Sequence, residues 1–107
     1  MKLLKDLWNK GLAVIPAEVR GAKVDQFDYV SKRTGKQMHV DLVRISLEVE
    51  VGGSYESFEG SVNDIKVVPL WAVRGNKVFL GCSEVKRENR RMAVRIVEAI
   101  PVKDIKE

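Results

Sequence analysis

The chain has 107 residues, and we expect one domain over residues 1–107. Hydrophobic residues make up 45% and charged residues 32%, which argues against a disordered protein, and the formal net charge of +4 favours a polyanionic partner. No stretch approaches the roughly 20 apolar residues of a membrane helix. Lys5 and Asp6 also interrupt the apolar start before it reaches the length of a secretory signal. We therefore expect a cytoplasmic protein without a membrane partner.

The first residues predict a short helix. Leu3, Leu4, Leu7 and Trp8 recur at helical spacing, and Gly11 marks the end of the pattern. We expect two or three turns that dock on the core through the leucine and tryptophan side chains. The alternative is a contact with a neighbouring subunit.

From residue 12 onward the pattern is that of strands. Residues 12–30 are rich in β-branched side chains, and Gly21 within them predicts a bend or bulge. The polar segment 31–37 contains Gly35 and predicts a hairpin tip.

The second strand carries two apolar alternations that differ in phase by one residue. The first runs from Met38 to Leu42 and the second from Val43 to Val51. A slip of one residue predicts a β-bulge that bends one long strand. The pair Gly52-Gly53 then predicts a tight turn into a third strand over residues 54–62.

The interior break at residues 63–75 predicts a capping segment. Pro69 argues against a long helix, so we expect a short helix or turn with Leu70, Trp71 and Val73 facing inward.

Two further strands are predicted at residues 77–86 and 91–102, joined by a charged turn. With five strands and a bulge, the chain favours a closed or partly open barrel, because closure removes exposed strand edges.

Residues that could carry catalysis are sparse. His39 is the single histidine, beside Asp41 on the polar face of a strand, and Cys82 is the single cysteine. One histidine and one cysteine cannot build a usual zinc site, and no nucleophile or phosphate-loop motif is present. We expect a protein that is not an enzyme, with no catalytic residues, no metal and no cofactor, and with Cys82 buried as a small hydrophobic residue.

Charge is unevenly distributed along the chain. Residues 20–37 and 86–95 are basic, whereas residues 41–64 are acidic. A basic face could bind a phosphate backbone while the acidic face turns away. The alternative is that the hairpin tips are charged for solubility.

Three aromatic residues are placed for base stacking. Phe27 and Tyr29 are two residues apart and share a strand face, and Phe79 lies with Lys77 on the face opposite the core. Flat apolar rings near cations are what single-stranded nucleic acid needs. The alternative is that these rings pack under a loop or in a dimer contact.

The order of strands, the capping segment and the phrase RGNKVFLGCSEV resemble an OB-fold protein. The phrase EVRGAKVDQFDY resembles the first strand of single-stranded-DNA-binding OB proteins of the small phage and plasmid type. The resemblance implies an all-β, five-stranded OB-like Greek-key barrel with a short N-terminal helix and a short capping segment. It also implies binding along a groove lined by the second and third strands and the flanking loops. The capping segment with its proline and the lack of an acidic C-terminal tail depart from the family.

A second resemblance concerns the phrase VVPLWAVRGNKVFLGC, which is similar to part of the WYL domain, a regulatory β-barrel module. The signature tripeptide is missing, because Val78-Phe79-Leu80 stands in its place.

The expected function is binding of single-stranded nucleic acid, DNA above all, with little sequence preference. Phe27, Tyr29 and Phe79 would stack on bases. The residues expected to neutralise phosphates are Arg20, Lys23, Lys32, Arg33, Lys36, Lys77, Lys86, Arg87, Arg90 and Arg91. The alternatives are a structural or protein-interaction barrel that forms a homo-oligomer, and a WYL-like ligand-binding module.

Overall fold

A computed structural model describes residues 4–88 and 91–104. Five strands follow one helix, as the sequence predicts. The elements are α1 (Leu4–Asn9), β1 (Ala13–Val30), β2 (Gln37–Val51), β3 (Ser54–Asn63), β4 (Lys77–Glu88), β5 (Arg91–Pro101) and a short 3-10 helix (Val102–Asp104).

The five strands close into a barrel in the order β1-β2-β3-β5-β4. Neighbouring strands are antiparallel except β3 and β5, which run parallel over three residue pairs. This is the predicted five-stranded OB-like Greek-key barrel. Because the barrel is closed, every strand has a hydrogen-bonded neighbour on both sides.

The core consists of the inward-facing side chains of all five strands. Alternation places every second residue of a strand inside, so β2 contributes Val43, Ile45 and Leu47, each at most 1% exposed. Burying one such side chain contributes about 1.5–3 kcal/mol. Other members of the core are Ala17, Val19, Phe58, Ala72, Val78, Leu80, Cys82, Val94, Ile96 and Ala99.

One β-bulge lies in β1. Val19 pairs with Leu47 and Gly21 pairs with Ser46, which leaves Arg20 without a partner in β2. The bend or bulge expected around Gly21 is therefore confirmed.

The bulge expected in β2 is wrong. Leu42 and Val43 pair without interruption with Asp25 and Val24 of β1. Both are buried although they point to opposite faces, Leu42 at 3% and Val43 at 0% exposure. The apparent phase slip arises because β2 is covered on both faces at this point.

Beyond the barrel, β1 and β2 continue as a two-stranded arm, here defined as residues 23–42. Pairing of β1 with β4 ends at Glu18, and pairing of β2 with β3 begins at Leu42. The projecting hairpin elongates the molecule, which measures 48 × 31 × 24 Å.

The capping segment, residues 64–76, crosses one mouth of the barrel in turns and bends and forms no helix. Ala72 is buried and Trp71 packs against the core, but Leu70 is 97% exposed and Val73 is also exposed. The inward orientation expected for Leu70 and Val73 is wrong. An irregular segment that crosses a mouth directs only some of its side chains inward.

Helix α1 docks on the outside of β4 and β5 through Leu7, which packs with Leu12 and Ile100. Gly81 leaves the necessary room, because a Cβ there would lie 3.0 Å from the side chains of Leu7 and Leu12. Trp8 is 72% exposed, so the expected docking through tryptophan is wrong. Leu3 lies outside the described residues. In the described part of the chain, no helix is long and apolar enough to span a bilayer.

Candidate nucleic-acid interface

The arm has one apolar face and one polar face. Cross-strand partners in an antiparallel hairpin share a face. Phe27 pairs with Val40 and Tyr29 pairs with Met38, and these four side chains form what we call the aromatic face. No other element covers this face at its two rings or at Met38, which are all exposed in the described structure.

The two rings of the aromatic face are adjacent. Their centroids lie 6.0 Å apart with an angle of 37° between the ring planes. Phe27 is 44% and Tyr29 is 46% exposed, and Met38 beside them is also exposed. An exposed pair of rings can stack on unpaired bases, whereas the bases of a duplex are already paired and stacked with one another.

The tip of the arm, residues 31–36, is basic and well ordered by its own hydrogen bonds. Ser31 accepts a backbone hydrogen bond of 2.8 Å from Gly35 and donates one of 2.9 Å to Lys36. Gly35 has a φ of 71°, in the left-handed region that glycine adopts without strain. These contacts fix the backbone of the turn from which the basic side chains project.

Three cations at this tip have no carboxylate partner. Lys32, Arg33 and Lys36 are exposed and form no ion pair with any residue that the structure describes. Lys23 is exposed at the base of the aromatic face, on the same side as Phe27. Asp25 lies between Lys23 and Phe27 on this side, and its carboxylate is held by Arg44 at 2.6 Å. The aromatic face therefore has cations at both of its ends, with one neutralised carboxylate at its base.

The polar face of the arm lies behind the aromatic face and carries His39. His39 Nδ1 lies 2.6 Å from Asp28 Oδ1, and Nε2 lies 3.1 Å from Asp41 Oδ1. The hydrogen bond with Asp28, followed by that with Asp41, raises the pKa of His39 above its usual value of 6.5. The histidine thus joins β1 to β2 through both of its ring nitrogens.

The outer surface of the barrel strands β1, β2 and β3 is acidic. Glu18, Glu48, Glu50 and Glu59 lie on this surface, which we call the acidic face. It is the part of an OB-like barrel, around β2 and β3, on which oligonucleotides commonly bind.

The two arginines on the acidic face are engaged by carboxylates. Arg20 lies 2.8 Å from Glu18 and 3.6 Å from Glu48. Arg44 lies 2.6 Å from Asp25 and 3.2 Å from Glu59. The hydrogen bond from Arg44 also lowers the pKa of Asp25. Arg20, expected to contact phosphate, is thus placed among carboxylates.

An open cleft of about 510 Å³ lies between the acidic face and the start of β5. Its polar lining comprises Arg20, Ser46, Ser57, Glu59 and Arg91. The cleft is lined by two arginines and one glutamate, so its net positive charge is lower than that of the three cations at the tip of the arm.

Two residues expected at the interface lie away from the arm. Lys77 is the cross-strand neighbour of Glu18 in the β1–β4 register. It also lines a shallow cleft together with Glu48 and Glu50. Phe79 is half-buried on the outer side of β4, between Pro16 and Ile100. The structure brings Phe27 and Tyr29 together but does not bring Phe79 to them.

A second group of expected residues lies at the far end of the β4–β5 hairpin. Lys86, Arg87 and Arg91 are exposed there, and Lys86 lies 3.0 Å from Glu84. Arg90 lies outside the described residues.

Sequence reasoning missed Met38 and Val40 as members of the aromatic face. The alternation in β2 grouped both of them with Leu42 on one apolar face and did not show that this face is open on the arm. The signal that could have found them is the hairpin itself, because a turn over residues 31–36 pairs Tyr29 with Met38 and Phe27 with Val40.

Chemical groups for catalysis or metal binding are few in the described residues. They contain no group of three histidine, cysteine, aspartate or glutamate side chains suited to hold a metal ion. Cys82 is buried as predicted, and burial raises the pKa of its thiol to about 11.

Comparisons with protein-family models, with curated proteins and with solved structures found no significant match to this chain.

Proposed function

We propose that this protein binds single-stranded nucleic acid through the arm. The observation that carries the proposal is the pair of exposed rings, Phe27 and Tyr29, on a projecting hairpin. The tip of this hairpin holds three cations that form no ion pair with a carboxylate among the described residues. Bases stack on the rings while Lys23 and the tip cations contact the phosphates. Every base has a flat face, so this mode of binding carries little sequence preference.

The arm supports this function better than the barrel surface does. The acidic face repels phosphates, and its two arginines are held by carboxylates at 2.6–3.6 Å. We therefore place the nucleic acid on the arm and not along the outer surface of β2 and β3. In this respect the proposal departs from the groove that the OB-fold resemblance implies.

A second candidate function is a protein-interaction barrel that forms a homo-oligomer. The observation in its favour is the capping segment, where Val67, Leu70 and Val73 are all exposed within seven residues of the chain. Exposed apolar patches mark protein contacts in many proteins. A molar mass that rises with concentration, together with no affinity for oligonucleotides, would favour this function over the first.

The test of the proposal is fluorescence anisotropy with labelled single-stranded and duplex oligonucleotides at several salt concentrations. We expect single strands to bind more tightly than duplexes, since only unpaired bases can stack on the rings. Four phosphate contacts would give a slope of about −3 for log affinity against log salt. No binding to either form at low salt would contradict the proposal, and equal affinity for both forms would contradict the stacking role.

A further inference from the structure

A second basic surface lies at the end of the molecule opposite the tip of the arm. We call residues 84–87 and 91–95 the β4–β5 end. β4 runs antiparallel to β1, so it leads away from the tip and toward the start of β1. β5 runs parallel to β3 and therefore begins near the turn between β2 and β3. The directions of the strands thus place the end of β4 and the start of β5 at the opposite end of the barrel from the tip of the arm.

The β4–β5 end carries cations that are available to a ligand. Lys86 and Arg95 lie 3.0 and 3.7 Å from Glu84. Arg87 and Arg91 are exposed and form no ion pair with a residue in the described part of the chain. Among these described residues, four basic side chains stand against one acidic one: Lys86, Arg87, Arg91 and Arg95 against Glu84.

The acidic face separates these cations from the arm. A nucleic-acid strand that runs from the arm to Arg91 must pass Glu59 and Glu48. The arginines that pair with these two carboxylates, Arg44 and Arg20, are each shared with a second carboxylate. Each phosphate about 4 Å from a carboxylate costs roughly 1 kcal/mol even in water. A continuous path for one strand is therefore less favourable than two separate contacts.

We propose that the β4–β5 end is a second binding site for single-stranded nucleic acid, so that one molecule holds two separate segments at once. The inference rests on the proposed function, since the arm binds the first segment. A molecule with two such sites raises the local concentration of one strand around another. Its activity is then to bridge strands, and not only to coat them.

The experiment uses energy transfer between two oligothymidylates of about eight nucleotides, one carrying a donor and the other an acceptor. These strands cannot pair with each other. We expect energy transfer with the natural protein at two strands per molecule. The double variant R87A/R91A should lose the transfer but keep its affinity for one oligothymidylate within about twofold, because distant sites act independently. The matched control, K5A/K103A, removes two exposed cations elsewhere and should keep the transfer.

Several results would overturn the inference while leaving the proposed function intact. One is binding by the natural protein without energy transfer. Another is transfer that persists in R87A/R91A, which would mean that two copies bridge the strands through their arms. A loss of affinity for one short strand by tenfold or more in R87A/R91A would show a single continuous path. No binding by the natural protein would contradict the proposed function and this inference together.

Discussion

His39 connects the two strands of the arm through both of its ring nitrogens. Its partners Asp28 and Asp41 lie on β1 and β2, so the charged imidazole holds the polar face together behind the aromatic face. The raised pKa of His39 defines how the arm responds to pH. The stabilisation is complete below about 6.5, the pKa of an unfolded histidine, and is lost as the pH rises through the higher pKa of the folded arm.

The variant Asp28→Asn tests this connection. Removing the carboxylate 2.6 Å from Nδ1 should lower the pKa of His39 toward 6.5. Because the chain has one histidine, its imidazole signals in an NMR titration need no further assignment. The control Glu50→Gln removes the same charge from the barrel and should leave the pKa of His39 as it was. An unchanged pKa in Asp28→Asn would mean that the contact does not form in solution.

At the level of single residues, the sequence predicts which side chains lie inside the barrel better than which lie outside it. Alternation identified Val78, Leu80 and Cys82 as inward, and each is at most 2% exposed. It could not show that Leu42 is covered on the opposite face, because that cover depends on the rest of the fold. It also could not show that Leu70 in the capping segment is exposed.

At the level of elements, β3 and β5 approach each other closely at Gly60. A Cβ at this position would lie 2.5 Å from Ile96 Cδ1 and 3.1 Å from Leu47 Cδ1. Only a residue without a side chain lets the parallel pair close the barrel with these two neighbours in place.

We expect Gly60→Ala to lower the free energy of unfolding by about 1–3 kcal/mol, the usual cost of an overpacked core. The matched control is Gly21→Ala, where nothing lies within 4 Å of the added Cβ. Its stability should change by less than about 1 kcal/mol. Chemical denaturation followed by tryptophan fluorescence measures both. Equal stability of the two variants would show that Ile96 moves aside without cost.

The order of the elements and the bulge near Gly21 were predictable, but the further bulge expected in β2 does not form. Turn residues marked the ends of the strands, so the hairpin tip near Gly35 and the turn at Gly52-Gly53 were found from the sequence. The bulge is set by the register between β1 and β2, and register depends on which residues pair across the hairpin. A single strand read alone does not contain that information.

At the level of the whole molecule, the distribution of charge separates the surface into two basic ends and one acidic face. The sequence predicted the blocks of charge, because they are contiguous in the chain. It did not predict that Arg20 and Arg44 are neutralised, because their carboxylate partners lie on neighbouring strands. It also did not predict that Phe79 lies apart from Phe27 and Tyr29, since that separation follows from the strand order.

The central claim is that the rings of the arm bind bases, and the most direct measurement is the affinity of the variant F27A/Y29A for a single-stranded oligonucleotide. The control is Tyr55→Ala, which removes an aromatic residue that is 69% exposed on the barrel. A stacked base contributes about 1–3 kcal/mol, so losing two should weaken binding at least about 30-fold. The variant F27L/Y29L keeps the apolar character of the arm without the rings and should bind as weakly. Affinity within about twofold of the natural protein in both arm variants, with the fold intact by circular dichroism, would contradict the claim.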